Sequence, residues 1–176
     1  MMKPRKIAVA VVGVLLCSAI GYLTFAIAAK RTRQREVADK MASLPAVKLA
    51  YTDGAVAPLA VDGKPLVLVL FNSGCEHCQY EAEAIRQHIT DFASTQIVLV
   101  SAEEPAAAKQ FAAVSGLGNA TNVRFATITH ADLTKTFGNV SFPSVYIYSA
   151  KGKLLKHFRG ETSPQAILKV VSAISS

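Results

Sequence analysis

At 176 residues the chain has room for one domain of ordinary size plus an appendage. Its net charge of +7 does not describe a basic binding face, because Lys3, Arg5, Lys6, Lys30, Arg31, Arg33 and Arg35 all flank one apolar run. From Val37 onward 12 Lys and Arg stand against 11 Asp and Glu, a balance that argues against a nucleic-acid partner.

Residues 1–6 form a short basic leader. Ile7 to Ala29 is a stretch of 23 residues without a charge. At ~1.5 Å per residue it is long enough to cross a hydrocarbon core of ~30 Å, and it predicts a transmembrane anchor over 7–29. A cleaved signal is the rival, since Ala26-Ile27-Ala28 resembles a processing site, although such signals usually have apolar regions of only ~7–15 residues. A buried core helix is the third option, disfavoured by length and by the flanking charges. Cys17, inside the run, reads as a packing residue, because Val14-Leu15-Leu16 stand where a lipidation site needs a small residue. Three Lys and Arg precede the run and four follow it, so the charges do not fix its orientation. Residues 30–45 read as a polar stalk of helix formers, ended by Leu44-Pro45, and 46–176 as the folded domain.

Within that domain Val47 to Tyr51 alternates as a half-buried strand, and Thr52-Asp53-Gly54 is a turn. Leu59 to Val61 suggests a second short strand, and the apolar run Pro65 to Leu70 a buried central one. A helix is expected from the residues around Cys78 to about Phe92. Ile97 to Val100 is the next buried strand, and Pro105 opens a helix to about Ser115. Arg124 to Ile128 reads as a strand and Ala131 to Phe137 as a brief helix stopped by Gly138. Val145 to Tyr148 and Leu154 to Phe158 form a hairpin about Ala150 to Lys153. Ser163-Pro164 starts a last helix through about Ile174. Strands alternating with helices, then a hairpin and a helix, predict an α/β sandwich with a mixed sheet.

The chemistry concentrates at Cys75-Glu76-His77-Cys78, where the central strand gives way to a helix. Two cysteines two residues apart at such a junction suggest a dithiol redox centre. The first N–H groups of a helix lack intrahelical partners and carry partial positive charge, which stabilises a thiolate placed there. Three residues on is nearly one helical turn, so the second sulfur can bond to the first. Cys75 is thus expected to attack, and Cys78, one turn deeper, to resolve. Half of a zinc site is the alternative, but His88, His130 and His157 are scattered without paired ligand spacing. A protonated His77 would favour the nearby thiolate, whereas Glu76 would oppose it; His77 reads equally well as an exposed polar residue.

This pattern resembles the thioredoxin superfamily, and within it the membrane-tethered TlpA/redoxin-like thiol-disulfide oxidoreductases, from about Val47 to the C-terminus. Cys75-x-x-Cys78 after a buried strand carries the resemblance. So do Glu81, matching the acidic residue of the family's C-x-x-C-x-x-E pattern, and Phe142-Pro143, matching its cis-proline strand. Gly74 stands where the family usually has an aromatic residue, and Glu83 where it has a helix proline. The resemblance implies a three-layer thioredoxin-like sandwich and no cofactor beyond the dithiol. It further implies protein thiols and disulfides as substrates, and a membrane electron donor or acceptor as partner. The expected location is the inner membrane, single-pass, with the redox domain facing the periplasm or outside.

A cis bond at Pro143 would set it against the dithiol, leaving Phe142 and its neighbours free to pair with an extended substrate segment; a trans proline opening an edge strand is the other reading. Glu81 reads as a helix-surface residue ahead of a proton-transfer group, and Tyr80 and Phe71 as packing. Two other functions use cysteines in a comparable setting. Peroxiredoxins place threonine three residues before their cysteine, where this chain has Asn72. A tethered binder could instead hold a soft ion such as Cu(I) with Cys75, Cys78 and His77.

Overall fold

The computed structural model describes residues 18–30, 32 and 39–173, and the chain divides into two units between residues 38 and 39. In the first unit, 18–30 is helical and exposed. The leader, Cys17 and much of the expected anchor lie outside the described residues. Among the described residues no helix is long and apolar enough to cross a membrane.

The second unit begins earlier than the stalk reading implies. Met41 is buried, Leu44 N–H donates to the Gly152 carbonyl at 2.7 Å, and Leu154 N–H donates to that of Ala42 at 2.9 Å. Residues 41–44 therefore pack with the domain.

A seven-stranded mixed sheet organises the rest, in the order β2-β1-β5-β4-β3-β6-β7. The strands are β1 (Lys48–Tyr51), β2 (Val56–Pro58), β3 (Leu66–Leu70), β4 (Gln96–Ser101), β5 (Val123–Thr127), β6 (Ser144–Tyr148) and β7 (Leu154–Arg159). Here β3, β4 and β5 run parallel, with β1 and β6 antiparallel beside them. Leu66–Leu70 is buried at every position, as expected of a central strand covered on both faces. Alternation sends Val67, Val69 and Phe71 to one face, where they meet α1 (Glu76–Gln87), α2 (Pro105–Val114) and α4 (Pro164–Ser172) in the main core. The opposite face receives α3 (His130–Phe137), whose Phe137 packs on Tyr146 at 5.7 Å. Helices, sheet and helix make the expected three layers.

Two element boundaries differ from expectation. The second strand lies at Val56–Pro58, not at Leu59 to Val61. Asp53 Oδ1 accepts the Ala55 N–H at 2.9 Å, and this tight turn sets Ala50 opposite Val56; the last bond between the two segments runs from the Leu59 N–H to the Val47 carbonyl at 2.8 Å, so pairing begins and ends earlier in the chain than expected. The helix after the cysteines stops at Gln87 rather than Phe92, and Ile89–Phe92 continues as a 3₁₀ turn. Ile89, Thr90 and Asp91 are weak helix formers, and Asp91 binds His88 through both backbone and side chain.

Candidate active site

Phe71 directly follows β3; its ring stacks on Phe111 at 4.5 Å and meets Phe125 edge-on at 6.2 Å. This aromatic anchor fixes where the next four residues begin, so the packing reading of Phe71 stands. Asn72 then folds the loop on itself: its side chain accepts the Gly74 N–H at 3.0 Å and its carbonyl accepts the Cys75 N–H at 3.1 Å. From the loop after β4, Glu103 grips the same segment. Ser73 donates its N–H and its hydroxyl to the two Glu103 oxygens, both at 2.7 Å, and Ser101 adds a hydroxyl at 2.8 Å. Burial works against ionisation of Glu103, but these donors outweigh it and hold the carboxyl below its ordinary range.

Cys75 is the N-cap of α1, in extended backbone conformation. Its thiol is partly exposed and points to the Phe142 carbonyl at 3.8 Å. Cys78, one turn on, is 3% exposed. Burial pushes the Cys78 thiol up to about 12; the Asn72 backbone opposes this, while Cys75 and Glu81 add to it. Both are free thiols. The placement assigns the two sulfurs different chemistry: one reachable from solvent at the helix start, one enclosed and slow to ionise.

The Phe142-Pro143 bond is cis. Pro143 is buried, and its carbonyl accepts the Gly160 N–H at 2.8 Å, so strand addition is open only on the Phe142 side of the proline. Glu76 and His77 are both exposed. His77 Nδ1 pairs with Glu161 Oε2 at 2.8 Å, across from the loop that follows β7. Cys75, Cys78 and His77 do not make a metal cradle; among the described residues no cluster of three or more His, Cys, Asp or Glu could hold an ion. His88 engages Asp91 and Gln165, and His157 stacks on Tyr146 at 3.9 Å.

Two residues depart from their sequence reading. Tyr80 is 59% exposed rather than packed. Glu81 is not on the helix surface: it is 1% exposed, and neither carboxyl oxygen has a hydrogen-bond partner. Burial raises its carboxyl to about 8, with the Glu161 charge adding to the shift; the Thr162 N–H opposes it without reaching hydrogen-bonding geometry. The missed signal is helical arithmetic, since Glu81 falls on the face of Cys78, Ala82 and Ile85. Glu103 was also missed. Its signal is the placement of Ser73 and Ser101-x-Glu103 at the carboxyl ends of adjacent parallel strands, where α/β sheets gather their functional loops.

Residues 41–157 match the AhpC/TSA family, about two thirds of the chain. The chain belongs to that family. Similar solved structures include MTB dsbF in its mixed oxidized and reduced forms, at 22% identity and a TM-score of 0.62, over 75% of this chain and 99% of that one. A secreted Mycobacterium tuberculosis disulfide oxidoreductase homologous to E. coli DsbE matches at 18% identity and 0.60, over 73% and 96%. Peroxidoxin BcpB from Mycobacterium tuberculosis matches at 19% and 0.63, over 76% and 96%. At these identities the likeness establishes the fold alone, a thioredoxin-like one. No curated protein matches the sequence. Family, fold and the CxxC motif together make the chain a thiol-disulfide oxidoreductase by class.

Proposed function

We propose that this protein exchanges disulfides with client proteins outside the cytoplasm, through Cys75 and Cys78, from a membrane anchor supplied by Ile7 to Ala29. The observation that carries the reading is the pairing of a half-exposed N-cap thiol with an enclosed one a turn behind it. The Cys75 thiolate attacks a client disulfide, forming a Cys75–client bond and releasing the client's other sulfur as a thiolate that takes up a proton. Cys78 then gives its proton to the Glu81 carboxylate and attacks Cys75. The mixed disulfide breaks, the client leaves as a thiolate to be protonated, and the Cys75–Cys78 disulfide forms. Two electrons have passed to the client, to be replaced by a membrane donor; with an acceptor instead, every step runs backwards. A cofactor beyond the dithiol has no part in this scheme.

Client recognition falls to groups around Cys75. Phe142 offers a free N–H beside the cis-proline, suited to an extended client segment. A groove of about 380 Å³ lined by Ser73, Gly74, Gln79, Phe111 and Val114 opens beside the loop that leads into Cys75 and has room for a flanking side chain. The extracytoplasmic setting draws on the apolar run and on the secreted character named for one structural relative.

The test is reduction of the insulin disulfides by the purified protein, with trapping of intermediates. Cys75→Ala should abolish turnover, and Cys78→Ala should accumulate a covalent Cys75–client adduct. Full activity in Cys75→Ala would sink the reading. Rapid peroxide consumption with no insulin reduction would transfer it to a peroxidase of the kind that the name peroxidoxin denotes for BcpB.

A further inference from the structure

His77 and Glu81 are four residues apart on α1, so they lie one turn from each other on the same flank of the helix. One is open to solvent and the other buried. The loop between β7 and α4 covers that flank. Its Glu161 is held by His77 at 2.8 Å, and the next residue, Thr162, is buried and brings its N–H toward Glu81. A carboxylate tethered above His77 is thereby fixed near the buried carboxyl whose oxygens have no partner.

We propose that Glu161, tethered by His77, is a positioning residue whose charge sets the pH at which Glu81 can accept the Cys78 proton. The inference rests on the reading of Glu81 as that acceptor. The groups that face Glu81 are Cys78 on its own helix and Glu161 from the β7–α4 loop; Cys75 at the helix start faces Cys78, and His77 faces Glu161. A like charge disfavours ionisation of its neighbour. Glu161 therefore keeps Glu81 protonated to higher pH than burial alone would, and His77 determines where that charge is held. In thiol exchange the device delays resolution by Cys78 until the pH passes a threshold, prolonging the Cys75–client bond below it.

The full chain is charged with thionitrobenzoate as a mixed disulfide on Cys75, and release of the coloured thiol is followed in stopped flow from pH 5 to 10. The wild-type rate should rise through an inflection near the Glu81 value of about 8. Glu161→Gln should move that inflection down by about half a pH unit or more, and Glu161→Asp should return it toward wild type. An inflection that stays in place in Glu161→Gln but vanishes in Glu81→Gln overturns the inference and leaves the role of Glu81 intact. One that persists in Glu81→Gln overturns both.

Discussion

Two glutamates stand at the dithiol, one gripping the loop that enters α1 and one inside α1, and their surroundings drive them apart. Glu103 receives three hydrogen bonds from Ser73 and Ser101 and is held ionised. Glu81 receives none and is held protonated to about pH 8. The same side chain serves as a clamp where donors surround it and as a proton store where apolar walls do. The loop region spends its polar groups on geometry; the helix interior leaves one unspent for chemistry.

The largest consequence is thermodynamic. The ordinary carboxyl value of 4.5 applies to Glu81 in the unfolded chain, and about 8 in the folded one. A group raised on folding contributes nothing adverse below the unfolded value, and stability is then lost as pH rises toward the folded one. At about 1.4 kcal/mol per unit, the loss approaches a limit on the order of 5 kcal/mol. Glu81→Gln removes the charge that cannot be accommodated. In urea unfolding it should match wild type near pH 4 and exceed it by several kcal/mol at pH 8.5. An equal gap at both pH values would mean that Glu81 is not the buried acid described here.

Glu103 should show the opposite sense. Its carboxyl is lowered on folding, so its contribution is present above the unfolded value of about 4.5 and is lost as pH falls through the folded one. Glu103→Ala deletes the acceptor of three donors, two from half-buried Ser73 and one from buried Ser101, and should cost about 2 kcal/mol at pH 7. The difference between variant and wild type should shrink as the solution is acidified below pH 4. A cost that is flat with pH would reduce Glu103 to a packing residue.

The asymmetry between these carboxyls also explains what could be read from the chain. Cys75 and Cys78 were legible because helix-start chemistry depends on local spacing, and Pro143 because an aromatic residue precedes it and a strand and hairpin follow it. The central strands were legible because Leu66–Leu70 and Ile97–Val100 are apolar without interruption. Glu81 was misread as surface because charge in a sequence suggests water, although its helical phase puts it beside Cys78. Glu103 escaped because its partners are 30 residues away in Ser73 and come together only when β3 and β4 pair. The second strand was misplaced because its register is decided by the turn at Asp53, not by its own apolar residues.

The finest distinction lies within the clamp. Ser73 gives Glu103 both its backbone N–H and its hydroxyl, and Ser73→Ala removes only the second. The stability cost should be about 1 kcal/mol, the smallest effect considered. A double-mutant cycle with Glu103→Gln should give a coupling of at least about 0.5 kcal/mol, since contacting residues in one network are not additive. The decisive readout is kinetic. The loop bond from Cys75 N–H to the Asn72 carbonyl orients Cys75 toward Phe142, so loosening the clamp should change the alkylation rate of Cys75 by iodoacetamide several-fold while leaving the Glu81 inflection in place. A Ser73→Ala protein with wild-type alkylation would confine the clamp to stability, and a moved inflection would show that loop and helix interior are one electrostatic unit rather than two.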